Sequence, residues 1–212
     1  MTALDQDLQE IAAEAVRMLS LVREECELAR SALIDADTTA GERCIETDER
    51  IDRLQETLER RILTVIARRQ PAARDLRFLG AMHRALADIE RAGDYAVHVA
   101  RAALVLSGQP PMKKYLDMDR ILTILGSMLE VTIRSLTESD ADAARRALAM
   151  DNEIDDLYEQ IQRELLSYMI EDPSKIDSAT RLLAVGRYLE RLGDHIENVN
   201  EHIVFWLTNE RI

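Results

Sequence analysis

Aromatic side chains make up only 4% of this 212-residue chain, and seven glycines and four prolines are all it offers for turns. Sheets are built from β-branched and aromatic residues with frequent turn formers. Their scarcity, beside abundant Ala, Leu, Arg, Glu and Ile, points to packed helices. No apolar run approaches the ~18 residues needed to cross a bilayer. Residues 1–10 are acidic and lack a signal-peptide core, so a cytoplasmic chain is expected, at most peripheral to a membrane. Positive charge is short as well: 27 Lys and Arg face 40 Asp and Glu, for a net charge of −13. That argues against nucleic acid, which needs a basic stripe, and suits a protein that attracts cations. The two cysteines, Cys26 and Cys44, sit about eleven and seven residues either side of a turn near Asp37, out of axial register on two helices. They are expected to be buried free thiols in a reducing compartment.

What the chain does have is helical periodicity. Leu4, Leu8, Ile11, Ala15, Met18, Leu19, Val22, Cys26, Ala29 and Leu33 keep three-to-four spacing, after a capping-box pattern at Thr2–Asp5. A break at residues 35–38 follows, and Thr39-Ala40-Gly41-Glu42 reads as the next cap. A second helix runs through Ile51, Leu54, Leu58, Ile62 and Val65 to Arg69-Gln70-Pro71. Proline restrains the residue before it and suits a helix's first turn, so a third helix is expected from Pro71 to Leu104. Ser107-Gly108-Gln109-Pro110-Pro111, the one Gly/Pro-rich linker, lies at the midpoint. The plan then repeats: a helix over 116–136, a cap at residues 139–142, a second helix to Glu171-Asp172-Pro173, and a third to about Leu207. The fold class is all-α, two tandem three-helix bundle repeats, 1–108 and 113–212.

The duplication is also written in residues. Asp48-Glu49-Arg50-Ile51-Asp52 matches Asp151-Asn152-Glu153-Ile154-Asp155 at an offset of 103, and Glu90-Arg91-Ala92-Gly93-Asp94 matches Glu190-Arg191-Leu192-Gly193-Asp194 at 100. Gly93 and Gly193 each cost a helix ~1 kcal/mol against alanine, so a close approach of a neighbouring backbone is expected at both. Each half thus carries two acidic i,i+4 pairs, one per helix, stacked on one face. Forty acids in 212 residues give roughly seven such pairs by chance, and solvated faces carry many. Recurrence at matched places sets these four pairs apart.

Hairpin arithmetic brings them level. In each half the pairs lie about 18–21 residues before and after the Pro71 or Pro173 turn, within about one helical turn of one height. Four carboxylates at one level either fan into water or converge. A converged cluster cannot stay ionised and dry, so it raises its pKa values or holds a metal. All-oxygen donors favour hard cations or carboxylate-bridged iron and manganese over thiolate zinc. His98, one turn past Asp94, is more in keeping with a packing or solvated residue than with a ligand, since its counterpart is Asn198. Glu201 extends the second cluster, whereas its counterpart Arg101 opposes a cation, so the second site is the richer.

The Pro71 turn gathers Arg68, Arg69, Arg74 and Arg77, while the Pro173 turn is acidic. A solvated helix end is one reading; a docking edge for an acidic partner is the other, since arginine pairs carboxylates bidentately. The histidines His83, His98, His195 and His202 are isolated, and no nucleophile–base arrangement, phosphate-cradling loop or CxxC occurs, so an enzyme is not indicated.

Two tandem three-helix units, the run Arg69-Gln70-Pro71-Ala72-Ala73-Arg74-Asp75-Leu76-Arg77, the Asp48/Asp52 and Asp151/Asp155 pairs and the Glu-Arg-x-Gly-Asp signatures together resemble the PhoU family. The resemblance covers nearly the whole chain. It implies a cytoplasmic homodimer that binds multinuclear iron or zinc, with manganese as an alternative. The implied ligands are Asp48, Asp52, Glu90, Asp94, Asp151, Asp155, Glu190 and Asp194. It also implies a negative regulator of phosphate uptake and of the phosphate-starvation two-component response, linking the ATPase of the phosphate ABC importer to a sensor histidine kinase. Tyr95, His98 and Arg101 stand where the second repeat has His195, Asn198 and Glu201, a departure that bears on the first cluster. The rival class is a carboxylate-bridged metal oxidase or metal-storage bundle. Such bundles supply Glu-x-x-His ligands from the core, and no Glu-x-x-His occurs here.

Overall fold

A computed structural model describes residues 2–108 and 111–210. Six long helices carry the chain: α1 (Ala3–Ile34), α2 (Thr38–Arg69), α3 (Ala73–Leu106), α4 (Leu116–Glu138), α5 (Ala141–Glu171) and α6 (Ile176–Thr208). One 3₁₀ turn, Pro173–Lys175, precedes α6, and no strand occurs among the described residues. None of these helices is long and apolar enough to cross a membrane.

Local chemistry sets the helix ends. Thr2 and Asp5 form the expected capping box, each side chain bonded to the other's backbone N–H. The cap of α2 is Asp37, whose carboxylate accepts from the Ala40 N–H; the Thr39–Glu42 run lies inside the helix. An acid two residues upstream wins because it can accept from exposed N–H groups while its own backbone stays extended. Between α2 and α3 the chain turns at Pro71 with Gln70 and Ala73 both at positive φ, 48° and 46°. That strained corner starts α3 two residues later than a proline at the first helical position would. Asp140 caps α5 as expected. In the midpoint linker, Gln109 and Pro110 lie outside the described residues.

In each half the three helices pack against one another, and α3 then lies along α6, with α1 against α4. One continuous apolar core runs through both halves. Cys26 and Cys44 are buried in it as free thiols. Phe78 of α3 packs on Trp206 of α6, ring centroids 4.8 Å apart, so the repeats are fused along this seam.

Candidate metal centre

In the second half, α5 carries Asp151 and Asp155 and α6 carries Glu190 and Asp194 on faces turned toward each other. The apolar stripes of both helices face the core, and Ile154 and Leu189, each beside an acid, are fully buried. Oxygen atoms of Asp155, Glu190 and Asp194 come within 4.8 Å of one another, and so do those of Asp151, Asp194 and Glu197. Asp194 belongs to both groups. Each group could hold a cation, and Asp194 would then serve both. Glu197, one turn beyond Asp194, was not among the residues singled out from the sequence. Its counterpart is Val97, so matching the repeats hides it. Burial, and then the charge of Glu201 on the next turn, raise the pKa of Glu197.

The acids press on one another as a converged cluster must. Burial, then Glu197, Asp155, Asp194 and Glu190, push Asp151 up to about 7. Burial and neighbouring acids likewise raise Asp155, Glu190 and Glu197. Arg191 reaches over the rim, 3.0 Å from Asp194 and 3.4 Å from Glu190. It does not reach the interior: Asp151 Oδ1 is buried without a hydrogen-bond partner among the described residues.

The first half repeats the plan with different neighbours. Burial, then Asp52 and Asp94, raise Asp48 to about 6, with Arg101 pulling the other way. Burial, then Asp94 and its own helix neighbours Glu56 and Glu49, raise Asp52; burial, then Asp94, Asp52 and Asp48, raise Glu90, with Arg91 opposing. The four act on one another through their charges, but among the described residues no three of their oxygens close to within 4.8 Å. Arg101 stands close enough to act on Asp48, as its position in the sequence implied.

The two glycines do something other than admit a backbone. A Cβ on Gly193 would stand 2.5 Å from Asp151 Oδ1, and one on Gly93 would stand 2.9 Å from Glu25 Oε2 and 3.8 Å from Asp48 Oδ1. What comes close is a carboxylate in each case. Orphaned buried oxygens, a cradle that a Cβ would fill and an all-oxygen donor set together fit a hard divalent cation or carboxylate-bridged iron or manganese.

Two histidines are not isolated. His195 Nδ1 lies 2.9 Å from Asp88 Oδ1, Asn198 Nδ2 donates to the same oxygen at 3.2 Å, and His202 Nε2 lies 3.4 Å from Asp88 Oδ2. Sequence separation of more than a hundred residues concealed this contact. His98 is exposed and stacks on Tyr188, consistent with packing rather than ligation. At the Pro71 corner Arg68 and Arg74 are exposed, Arg77 is half-buried, and Arg69 is bonded to Asp7 of α1 at 2.9 Å.

The PhoU domain family model matches residues 15–103 and again 118–203. A relative from Deinococcus radiodurans, named as a phosphate-specific transport system accessory protein PhoU homolog, is 42% identical over 99% of this chain and 98% of its own. One of the same name from Aquifex aeolicus is 35% identical over 89% of this chain and 85% of its own. The crystal structure of PhoU from Pseudomonas aeruginosa superposes with a TM-score of 0.93 at 30% identity, covering 97% of this chain and 99% of that one. That of the phosphate transport system regulatory protein PhoU from Streptococcus pneumoniae gives 0.91 at 26% identity, covering 99% of each. Matched in both halves and along nearly its full length, this chain belongs to the PhoU family of phosphate-transport accessory proteins.

Proposed function

We propose that this protein is a cytoplasmic, homodimeric negative regulator of phosphate uptake and of the phosphate-starvation response. It docks to the ATPase of the phosphate importer and to the phosphate-sensing histidine kinase, and it binds iron, zinc or manganese at its acidic clusters. The observation that carries this reading is the 42% identity, over nearly the whole chain, to a relative named for phosphate-specific transport. The metal part rests on Asp194 being shared between two oxygen groups, one of which holds the buried, unpartnered Asp151 Oδ1. Asp48, Asp52, Glu90 and Asp94 would serve the first repeat, and Asp151, Asp155, Glu190 and Asp194, joined by Glu197, the second. A bound cation would supply the charge neutralisation that lets these acids stay ionised and close.

Docking falls to the corner before α3. Arg68, Arg74 and Arg77 offer guanidinium groups there, and Arg69 adds less because Asp7 already holds it. Beside them lies a cleft of about 410 Å³ between the start of α3 and the end of α6, walled by Arg77 and Arg84, with Leu76 45% exposed on its lining. An apolar side chain among arginines suits an acidic amphipathic segment of a partner. Regulation then follows from differential affinity for the partners' states. The residues 1–108 and 113–212 are taken as the two repeats.

The test uses tagged protein recovered from phosphate-replete cells. Wild type is expected to bring down the importer ATPase and the kinase, and Arg74→Glu to lose at least one. Recovery of both by the variant would sink the docking edge; recovery of neither by wild type would sink the partner assignment. In the same preparations Glu190→Gln with Asp194→Asn is expected to lower bound metal while helix content stays unchanged. Undiminished metal would show those acids to be a solvated face only.

A further inference from the structure

Glu25 sits in the middle of α1, the helix that carries none of the paired acids. Its neighbours along the stripe, Met18, Leu19, Val22, Cys26 and Ala29, are core residues, and Glu25 itself is 0% exposed. Neither of its oxygens has a hydrogen-bond partner among the described residues. A carboxylate buried in this way without a partner is destabilising. The apolar registers of α1 and α4 match at the same offset of 103 that relates Asp48 to Asp151, which places Met128 opposite Glu25. The second repeat therefore fills this core position with a methionine, and the first with a carboxyl group.

The carboxylate is not aimed at random. Glu25 Oε2 and Asp48 Oδ1 both face the gap that Gly93 leaves open, 2.9 Å and 3.8 Å from where a Cβ would stand. Asp48 Oδ1 is itself buried and unpartnered. After burial, Asp48, Asp94 and Asp52 act on Glu25, so three of the first cluster's four acids lie near it. The second cluster gains its fifth carboxylate from α6, at Glu197, where the first repeat has the buried Val97. Each repeat thus has one extra acid, taken from a different helix.

We propose that Glu25 is a cation ligand of the first repeat, closing from α1 a site whose rim is Asp48, Asp52, Glu90 and Asp94. This rests on the reading that the acidic clusters hold metal, and it makes the first site distinct from the second: deeper, held by three helices, and flanked by Arg101. A divalent cation with a taste for oxygen, Mn(II) or Fe(II), is the class that fits. Glu25 Oε2, at the gap before Gly93 beside Asp48 Oδ1, is the oxygen that α1 would add to the rim.

The experiment titrates metal-stripped protein with Mn(II), counting free ion by electron paramagnetic resonance and following thermal melts by circular dichroism. Glu190→Gln with Asp194→Asn is expected to lose the second-repeat ions and to retain at least one bound Mn(II). Adding Glu25→Gln to that variant is expected to weaken the remaining binding tenfold or more and to abolish its stabilisation of the melt. Glu25→Met copies the second repeat's own residue; it should fold at least as stably without metal and show the same loss. Retained binding in either Glu25 variant overturns the proposal while leaving the metal reading intact. Loss of all metal from Glu190→Gln with Asp194→Asn alone also overturns it, since no first site would then exist. Wild type that takes up neither Mn(II) nor Fe(II) overturns both.

Discussion

Gly193 leaves the space that Asp151 occupies. An alanine there would set its Cβ 2.5 Å from Asp151 Oδ1, well inside contact, and the carboxylate would have to swing out of the cluster. The helix itself would gain about 1 kcal/mol, because alanine loses less backbone entropy than glycine. Gly193→Ala is therefore expected to melt no lower than wild type without metal, yet to bind Mn(II) at the second cluster at least tenfold more weakly. Calorimetric titration beside a circular-dichroism melt checks both, and unchanged affinity would remove Asp151 from the ligand set. The recurrence of glycine beside each Glu-Arg-x-Gly-Asp acid was visible in the sequence, but not what approaches it. Glu197 and Glu25 were harder still. Repeat matching rewards symmetric positions, and each of these acids faces an apolar counterpart, Val97 or Met128. The one signal for Glu25 was an acid at a core position of the α1 stripe, one turn after Leu21 and Val22 and one before Leu28 and Ala29.

The α3–α6 pair shows how the same symmetry breaks down at the level of the element. An offset of 100 relates Asp88 to Tyr188, Tyr95 to His195 and His98 to Asn198. On one side of the seam Asp88 meets His195, Asn198 and His202; on the other Tyr188 lies against Tyr95 and His98, at centroid distances of 6.2 and 5.1 Å. Burial alone would raise the Asp88 carboxyl, but hydrogen bonds from His195 and His202 and the charge of both outweigh it and hold the group well below the usual carboxylate range. A depressed carboxyl contributes stability that is present above its unfolded pKa of about 3.9 and is lost as pH falls through the folded value. Asp88→Asn is expected to cost about 1–3 kcal/mol at pH 7, seen as a lower urea midpoint. The gap from wild type should close as pH drops below about 4; a gap that stays constant would mean the carboxylate's charge contributes nothing. Helix limits were legible from caps and prolines, since those signals are local. This seam was not, because its partners lie 107 and 110 residues apart and neither carries a periodic mark.

At the scale of the whole molecule, acids from neighbouring helices act on one another in two places, one in each repeat. Asp48 is raised to about 6, Asp151 to about 7 and Glu25 to about 9, each first by burial and then by other acids. Between about pH 4 and those values the folded protein holds protons that the unfolded chain has released, so stability falls as pH rises through the window. This is the reverse of the Asp88 contribution, whose window lies lower and does not overlap it. Metal-stripped protein is therefore expected to melt higher at pH 5 than at pH 8, by roughly 5–10 °C for a chain of this size. Protons and cations compete for the same oxygens, so saturating Mn(II) should raise the melting temperature strongly at pH 8 and little at pH 5. Melting curves at half-unit steps of pH, with and without Mn(II), read both effects at once. A metal-stripped protein equally stable across pH 5–8 would mean that the acids are solvated apart. One whose pH slope remains but is untouched by Mn(II) or Fe(II) would mean that they converge without binding a cation.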